Sequence, residues 1–441
     1  MKLTVIGCGY LGATHAVAMA ELGHEVMGVD VDRARVHALR AARAPFHEHG
    51  FQDLLSRHVA TGRLRFTTSF AKAAAHADMH FITVGTPQLD GSDAYDLSHL
   101  RAAVGQLASQ LDGPALLVGK STVPVGTSEE LLALVRRRVR PGVRVSLAWS
   151  PEFLRESHAL QDALRPDRMV LGVAPGDRAS ADRFREVYAT VLAAGVPLLV
   201  MDLATAELTK CAANAFLATK ISFVNAMAEL CEATGADVRQ LARALAADPR
   251  IAPGALAAGL GFGGGCLPKD LRGLADRART LGAGAIADFL TGVDRINLGR
   301  RQRTVDLAAE RCGGSVAGRR IGVWGAAFKP GTDDIRDSPA LHVAEALHRL
   351  GAQVTVHDPE ALDNARKACP QLEYVEDPGA VAVDADLLLL LTEWPLYRLQ
   401  DPVALRERMH TPAVIDARGS LDGTRWRAAG WSYLRLGAPQ A

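Results

Sequence analysis

Residues 2–30 read KLTVIGCGYLGATHAVAMAELGHEVMGVD and decide the fold. A short apolar run leads through Gly7, Gly9 and Gly12 into an alanine-rich segment, and a second apolar run ends at Asp30. This order predicts a strand, a tight turn, a helix and a second strand. Glycines so placed let the backbone approach a pyrophosphate at the helix N-terminus, while the acid accepts hydrogen bonds from ribose hydroxyls. Because Asp30 would repel a 2'-phosphate, the motif favours NAD over NADP; the alternative is a glycine-rich turn without a ligand.

The pattern of apolar runs continues and then recurs. Runs at 80–85, 115–119 and 145–149, separated by segments of helical period, predict a parallel sheet built from βαβ units. The opening unit is repeated without its glycines in IGVWG at 321–325, a helix that starts at Ser338 and Pro339, LGAQVTVHD at 350–358, and apolar runs at 386–392 and 413–419. The sequence therefore predicts two Rossmann-like domains, of which only the first can bind a dinucleotide pyrophosphate.

Between these two domains, from about 201 to 300, the sequence contains no pattern typical of a strand. Residues 205–235 predict one long helix that ends at Gly235. The predicted fold is α/β, with two Rossmann-like, doubly wound parallel-sheet domains (1–200 and 301–441) joined by a central helical domain (201–300). A long helix of this kind favours a homodimer, although its apolar stripe is equally compatible with an ordinary core.

Composition excludes several classes of protein. The 441 residues are 48% hydrophobic, with 50 basic against 49 acidic side chains, so a disordered chain is excluded and a nucleic-acid partner disfavoured. No run approaches 18 uninterrupted apolar residues, which argues against a membrane span. Six scattered cysteines predict a reduced, cytoplasmic protein. His47, Glu48, His49 and His58 lack a third ligand at a recognised spacing, so no metal site is predicted.

The segment GLGFGGGCLPKDL at 259–271 contains the best candidate for a nucleophile. Pro268 stands where a helix would begin, with Lys269 and Asp270 in its first turn. A thiol at a helix N-terminus beside an ammonium group is readily deprotonated, so Cys266 is predicted to be a nucleophilic thiolate. The alternative is a small buried cysteine in a tight turn.

Lys210 and Asn214 lie four residues apart on the predicted long helix, and therefore on one face of it. An ammonium and a carboxamide together suit an oxygen that becomes an oxyanion. A solvated helix face is the alternative, but the surrounding helix is mostly apolar. Further candidates follow predicted strands, where open α/β sheets bind ligands, in the loops at 84–87, 120–127, 150–157 and 326–339.

These motifs, taken in order, resemble the UDP-glucose and GDP-mannose dehydrogenase family. The resemblance is carried by GCGYLG, VGTP, STVPVGT, PEFLRE, AELTKCAANAFLATKISFVN, GFGGGCLPKD, FKPGTDDIRDSPAL and a late DAR, over about 410 residues. Within the family, the chain is most similar to the bacterial branch that acts on UDP-glucose. The resemblance implies an enzyme that uses NAD to oxidise the C6 alcohol of UDP-glucose to the carboxylate of UDP-glucuronate in two steps, through a cysteine thiohemiacetal and a thioester.

The resemblance also implies roles for individual residues. The implied catalytic residues are Cys266 as the nucleophile, Lys210 and Asn214 for the oxyanions, and Asp270, Glu152 and Thr122 for water and protons. The implied NAD contacts are Gly7, Gly9, Tyr10, Leu11, Gly12, Asp30, Arg35, Thr86, Thr122, Glu156, Lys269 and Arg336. The implied contacts of the nucleotide sugar are Glu152, Phe153, Leu154, Arg155, Lys210, Asn214, Gly263, Phe328, Lys329 and Arg418, with Arg250 reaching the substrate across a dimer interface.

Four positions depart from the family pattern, namely Ser157, Ala226, Gly265 and Gly419. None is an implied catalytic group, so they leave the activity in place and bear on sugar preference. UDP-N-acetylmannosamine and GDP-mannose stay open as substrates. Two other functions stay open as alternatives: a one-step dehydrogenase of the hydroxyacid type, which has no use for Cys266, and a nucleotide-sugar-binding protein without catalysis.

Overall fold

The structure is a computed structural model of the chain and describes residues 1–439. Its contacts separate the chain into two compact units, Met1–Ala213 and Asn214–Ala441, which divide inside a long helix. The division into three domains therefore stays a prediction, and each unit is described by itself.

The first unit is built on one sheet. Its strands are β1 Lys2–Ile6, β2 Glu25–Val29, β3 Leu64–Thr67, β4 Met79–Ile82, β5 Ala115–Gly119, β6 Val145–Trp149, β7 Met169–Gly172 and β8 Leu198–Met201. They form an eight-stranded sheet in the order β3-β2-β1-β4-β5-β6-β7-β8. The helices of the unit are α1 Tyr10–Glu21, α2 Arg33–Arg40, α3 Phe51–Ala60, α4 Phe70–His76, α5 Ser98–Ala108, α6 Thr127–Arg138, α7 Ala159–Leu164, α8 Arg178–Val187 and α9 Ala189–Ala193.

The central strands of this sheet are almost entirely apolar and buried, as expected when helices cover both faces of a parallel sheet. Leu3, Val5, Phe81 and Leu117 are completely inaccessible to solvent. One neighbour pair differs from the predicted parallel arrangement, because β7 runs antiparallel to β6. The connection between β6 and β7 contains α7. It starts and ends at the same edge of the sheet, because antiparallel neighbours need no crossover to the opposite edge.

The second unit begins with helices and ends with a smaller sheet. The long helix α10 spans Leu203–Thr234 and so runs into both units, and the next helices are α11 Val238–Ala246, α12 Leu267–Thr280 and α13 Gly284–Arg311. The strands are β9 Arg320–Trp324, β10 Gln353–His357, β11 Glu373–Tyr374, β12 Leu387–Leu390, β13 Ala413–Asp416 and β14 Ser432–Arg435. The remaining helices are α14 Pro339–Arg349, α15 Leu362–Ala368, the 3₁₀ helix Ala380–Ala382, α16 Pro395–Arg398, α17 Pro402–Arg406 and α18 Gly423–Ala428.

The six strands of the second sheet have the order β11-β10-β9-β12-β13-β14, and every pair is parallel. At the start of α14, Ser338 accepts a hydrogen bond from the Leu341 amide, as its position before Pro339 predicts. The long helix ends where the sequence predicts, one residue before Gly235, whose φ is 76°. The predicted fold class is confirmed. Within residues 1–439, no helix is both long and apolar enough to cross a membrane.

Candidate active site

The loop between β1 and α1 has the geometry of a pyrophosphate cradle. A Cβ added at Gly7, whose φ is 94°, would lie 2.9 Å from the Val84 backbone, and one added at Gly12 would lie 1.7 Å from the Gly7 carbonyl oxygen. A Cβ at Gly9 would meet nothing within 4 Å, so open space lies over the middle of the loop. Gly9, the residue before α1, has no side chain to cap the first turn of the helix. Backbone N–H groups facing open space at a helix N-terminus fit the pyrophosphate of NAD.

Asp30, at the end of β2, lies beside this loop and is 6% exposed. Its carboxylate accepts hydrogen bonds from the Cys8 amide at 2.7 Å, the Asp32 amide at 2.9 Å and the Arg35 guanidinium at 3.1 Å. These bonds hold an acidic group at the strand tip, where the ribose of a dinucleotide would lie.

The second sheet has an equivalent acid, Asp358 at the end of β10, which is completely buried. Its oxygens accept from the Ala326 and Ala327 amides at 2.8 and 2.9 Å, and from the Trp394 indole at 3.1 Å. The indole fills the space beside the carboxylate. Asp358 therefore supports its own loop, and a ribose contact like that of Asp30 is excluded.

The loops after β5 and β6 are joined by an ion pair. Lys120 is 3% exposed, and its Nζ lies 3.1 Å from Glu152 Oε2 and 3.3 Å from the Ser150 carbonyl oxygen. The other oxygen of Glu152 accepts from the Phe153 and Leu154 amides at 2.9 and 3.1 Å. Glu152 is thus fixed in its own loop by its neighbours. Lys120 is the first residue of the predicted loop at 120–127 and has no predicted role of its own, although a lysine at the end of a buried strand was a usable signal.

The loop after β5 is also held from α10. Glu207 is 1% exposed and accepts hydrogen bonds from the Gly126 and Ser128 amides at the start of α6, at 2.7 and 2.6 Å. Burial raises the pKa of Glu207 despite these bonds. From the loop after β4, the Thr86 hydroxyl donates to the Thr122 carbonyl oxygen in the loop after β5, at 2.6 Å. Thr86 and Thr122, both predicted site residues, are therefore brought together.

Lys210, on α10, is 8% exposed, and its Nζ lies 5.6 Å from the centre of the Phe153 ring. The Arg168 guanidinium lies 4.1 Å from the same ring centre. An aromatic face stabilises a cation that has been moved out of water. The buried ammonium is therefore placed next to the loop that carries Glu152.

Cys266 is exposed and is the residue that precedes the first turn of α12. In this turn, Asp270 is 1% exposed, and its Oδ1 lies 2.6 Å from Lys269 Nζ. The other oxygen, Oδ2, accepts from the Asn214 side-chain amide at 2.6 Å. A buried carboxylate in this first turn thus fixes the carboxamide of Asn214, from α10, and the ammonium of Lys269. The structure places Cys266 directly before a helix, with Lys269 in the first turn of that helix and paired with Asp270.

The glycine-rich segment before Cys266 is held from α13, which sequence reasoning missed. Asn297 is fully buried; its Oδ1 accepts from the Phe262 amide at 2.7 Å, and its Nδ2 donates to the Phe262 carbonyl oxygen at 3.0 Å. Arg301 Nη2 donates to the same carbonyl at 3.3 Å, and Arg300, also buried, donates to the Gly259 carbonyl. In the sequence, these two residues are only a pair of adjacent arginines in a long helix. Such a pair is more typical of an exposed helix face, so the sequence did not indicate their role.

The remaining predicted contacts of the second unit surround the same segment. A Cβ at Gly263 would lie 2.3 Å from the Asp337 carbonyl oxygen, and one at Gly264 would lie 2.8 Å from the Phe328 ring. Lys329 Nζ lies 5.6 Å from that ring centre. Arg418 donates to the carbonyl oxygens of Leu391, Gly261 and Phe328 at 2.8, 2.9 and 3.4 Å. Arg418 thus already serves to hold three loops together.

Two predicted arginines lie on the surface with a nearby acid. Arg155 pairs with Asp162 at 2.7 Å, and its side chain is 64% exposed. Arg250 pairs with Asp248 at 2.6 Å, and its side chain is 88% exposed. No cluster of three or more His, Cys, Asp or Glu side chains within residues 1–439 is arranged to hold a metal ion.

Gly265 determines where Arg336 lies. A Cβ on Gly265 would lie 2.3 Å from Arg336 Cζ and 2.4 Å from Nη1, so the guanidinium packs directly on the glycine backbone next to Cys266. We expect Gly265→Ser to displace the guanidinium and to weaken NAD⁺ binding about fivefold, equivalent to about 1 kcal/mol, the value of one hydrogen bond. Calorimetric titration with NAD⁺ measures this change.

The control is Gly254→Ser, because a Cβ at Gly254 meets nothing within 4 Å. This variant should bind NAD⁺ as the unchanged protein does. Equal affinity in all three proteins would contradict a role for the Arg336 position in cofactor binding.

Comparison with known proteins gives a consistent result along the whole chain. Models of the UDP-glucose/GDP-mannose dehydrogenase family match its NAD binding domain at residues 1–192, its central domain at 204–298 and its UDP binding domain at 322–423. The UDP-glucose 6-dehydrogenase of Rhizobium meliloti (strain 1021) is 40% identical over 439 residues, covering 100% of both chains. That of Pseudomonas aeruginosa is 40% identical over 452 residues, covering 100% of this chain and 98% of its own. The structure of a UDP-glucose dehydrogenase from the hyperthermophilic archaeon Pyrobaculum islandicum is similar with a TM-score of 0.90 and 38% identity, covering 100% of this chain and 98% of that one.

Proposed function

This chain belongs to the UDP-glucose/GDP-mannose dehydrogenase family, and from that premise we propose that it oxidises the C6 alcohol of UDP-glucose to a carboxylate with NAD. The observation that carries the proposal is the exposed thiol of Cys266 at the start of α12, where Asp270, in the first turn, binds Lys269 of the same turn and Asn214 of α10. An NAD-binding loop alone would serve any alcohol dehydrogenase. The thiol is the feature that extends the reaction from the aldehyde to the acid.

NAD would be held by the loop Gly7–Gly12 and Asp30, with further contacts proposed for Tyr10, Leu11, Arg35, Thr86, Thr122, Glu156, Lys269 and Arg336. The open space over Gly9 and the uncapped first turn of α1 support the pyrophosphate contact. Bound NAD supplies the two-electron oxidant for each of the two steps. The chain's own residues orient the sugar and control its protons.

Two oxidations require the aldehyde to be retained between them. The Cys266 thiolate adds to the aldehyde carbon, forming a C–S bond and a thiohemiacetal. Loss of a hydride from that carbon, to the oxidant that bound NAD would supply, and of a proton from its hydroxyl gives a thioester. Water then attacks the thioester carbon, the C–S bond breaks, and the carboxylate and the thiolate are released. One sugar therefore consumes two NAD⁺.

The charged and polar groups near these steps have distinct roles in the proposal. Lys210 and Asn214 stabilise the negative charge that develops on the C6 oxygen, because an ammonium and a carboxamide donate to an oxyanion. Asp270, Glu152 and Thr122 position water and move protons. The sugar nucleotide is proposed to contact Glu152, Phe153, Leu154, Arg155, Lys210, Asn214, Gly263, Phe328, Lys329 and Arg418. Arg250, which is exposed on a single chain, is proposed to contact the substrate bound to a second copy.

The test is a measurement of NADH and product together, on a panel of UDP-glucose, UDP-galactose, UDP-N-acetyl sugars and GDP-mannose. We expect two NADH for each UDP-glucose, with UDP-glucuronate as the product. A ratio of one, with an aldehyde or ketone product, would instead identify a one-step dehydrogenase of the hydroxyacid type. Binding of the sugar with no NADH at any pH would identify a binding protein. Faster turnover of UDP-N-acetylmannosamine or GDP-mannose would correct the proposed substrate.

A homodimer through α10 is part of the proposal. Phe216, Phe223 and Leu230 follow one another at intervals of seven residues on this helix, and they are 66%, 50% and 55% exposed on the single chain. Apolar side chains in one row along a long helix favour association with another helix. We expect Phe223→Asp to convert the dimer to a monomer, as measured by sedimentation velocity.

Leu399→Asp is the matched control, since Leu399 is also exposed, at 81%, and directly follows α16 rather than belonging to α10. It should leave the dimer intact. A dimer that survives Phe223→Asp, or a wild-type chain that sediments as a monomer, would contradict the proposed interface.

We also propose a reducing compartment, the cytoplasm. Every cysteine is a thiol in the structure, and five of the six are buried. Reducing compartments maintain cysteines in this form.

A further inference from the structure

The segment His47–His49 contains a buried carboxylate that neither a metal nor the proposed chemistry uses. Glu48 lies between α2 and α3 and is 7% exposed. Its Oε2 accepts a hydrogen bond from the Tyr10 hydroxyl, and its Oε1 accepts from the Leu160 amide at 3.4 Å. Leu160 is in the first turn of α7. One carboxylate thus contacts both the dinucleotide loop and the helix that follows the loop at 150–157.

Tyr10 is the first residue of α1 and completes the connection. Its hydroxyl oxygen accepts from the Ser157 amide at 3.1 Å, while its ring lies 4.7 Å from the ring of Phe46, centre to centre. Burial, with the hydrogen bond to Glu48 second, raises the pKa of Tyr10. The phenol therefore keeps its proton, donates it to Glu48, and has its oxygen available to Ser157.

Ser157 ends the loop that carries Glu152 and has a φ of 68°, in the left-handed region that favours glycine. A residue held in that conformation needs its surroundings to fix it. The Tyr10 hydroxyl supplies that restraint by accepting from the Ser157 amide. The position of the loop at 150–157 is thereby set relative to the glycines of the dinucleotide loop.

We propose that Glu48 is a positioning residue that acts through Tyr10, and we call the two hydrogen-bonded side chains the Tyr10–Glu48 tether. The tether fixes the spacing between the dinucleotide loop and the loop at 150–157, so that NAD binds to a preformed site and Glu152 is in place when it does. The part of this inference that concerns NAD binding rests on the proposed function. The geometry of the tether rests on the contacts of Tyr10 and Glu48 alone.

The test compares Tyr10→Phe, Glu48→Gln and the double variant. Phenylalanine keeps the ring and removes both hydrogen bonds of the hydroxyl. Glutamine offers one acceptor oxygen in place of two, so either the Tyr10 or the Leu160 bond is lost. Two quantities are measured on the full chain: the Kd of NAD⁺ by calorimetry, and hydrogen exchange at the Ser157 and Leu160 amides without ligand.

The matched control is Glu21→Gln at the opposite end of α1. Glu21 accepts from His58 Nε2 at 2.7 Å and so also joins α1 to a neighbouring element through a carboxylate. This variant should change thermal stability at most, and leave the Kd of NAD⁺ and the exchange of both amides as they are.

We expect each single variant to raise the Kd of NAD⁺ and the amide exchange rates about tenfold, the effect of losing one hydrogen bond to a charged group. In the double variant, neither quantity should rise further than in the more affected single variant. The proposal is overturned if Tyr10→Phe and Glu48→Gln leave both quantities unchanged, if their effects simply add, or if Glu21→Gln has the same effect. Failure of the wild-type chain to bind NAD⁺ would count against the proposed function, and amide exchange would then decide on the tether by itself.

Discussion

Cys266→Ala is expected to abolish carboxylate formation, lowering its rate more than about a thousandfold, as loss of a covalent nucleophile does in other enzymes. Without the thiol, the aldehyde hydrates or leaves, and the second oxidation has no covalent substrate. Cys266 is exposed, so its truncation opens no buried cavity and the fold should be retained. The Kd of NAD⁺ should stay as it is. Mass spectrometry of the sugar product, together with NADH absorbance, checks the result.

Cys369→Ala provides the comparison, because Cys369 is 5% exposed and packs in the core of the second sheet. It should cost some stability and leave the two NADH for each sugar unchanged. Carboxylate production at the normal rate by Cys266→Ala would remove the covalent mechanism and return the chain to the one-step class.

The parts of the site that could be predicted are those whose chemistry is local in sequence. Gly7, Gly12 and Asp30 serve one turn and its flanking strands, and Cys266 with Lys269 lies in one helical turn. For these residues, a spacing of a few positions already fixes the geometry. The repeat of this pattern at Asp358 was equally readable, and there the carboxylate accepts hydrogen bonds from the amides of its own loop.

Other residues of the site depend on contacts that no local pattern contains. Asn297 binds a backbone 35 positions earlier, and Glu48 reaches Leu160 across 112 positions. In the sequence, Asn297 stands among arginines and resembles an exposed helix face, whereas in the structure it is fully buried. The antiparallel direction of β7 also could not be predicted from a local pattern. The direction of a short strand depends on the edge of the sheet at which its connection ends.

The second large effect is expected at Asn297, whose carboxamide pairs with both backbone groups of Phe262 in the manner of a neighbouring strand. In Asn297→Ala, the buried Phe262 amide loses its acceptor, while the Phe262 carbonyl keeps Arg301 at 3.3 Å. We expect the free energy of unfolding in urea to fall by about 3 kcal/mol, for one buried donor left without a partner and the cavity of a lost carboxamide. Turnover should fall as well, because the freed backbone leads directly to Cys266.

Asn297→Asp separates the hydrogen bonds from the volume. Aspartate keeps the size and the acceptor toward the Phe262 amide, but it places a second oxygen against the Phe262 carbonyl and buries a charge, so it should be at least as damaging as alanine. The control is Asn364→Ala, which removes the partly buried hydrogen bonds from Nδ2 to the Asp333 carbonyl oxygen at 2.9 Å and to Asp333 Oδ2 at 3.4 Å, and should cost about 1 kcal/mol. If Asn297→Asp unfolds and turns over like the unchanged protein, the pairing with Phe262 does not hold the segment. If only its stability falls, the segment folds correctly around Cys266 without Asn297. If Asn297 holds the backbone of the segment before Cys266, Asn297→Asp should lose both stability and turnover, whereas Asn364→Ala should show only the small loss of stability.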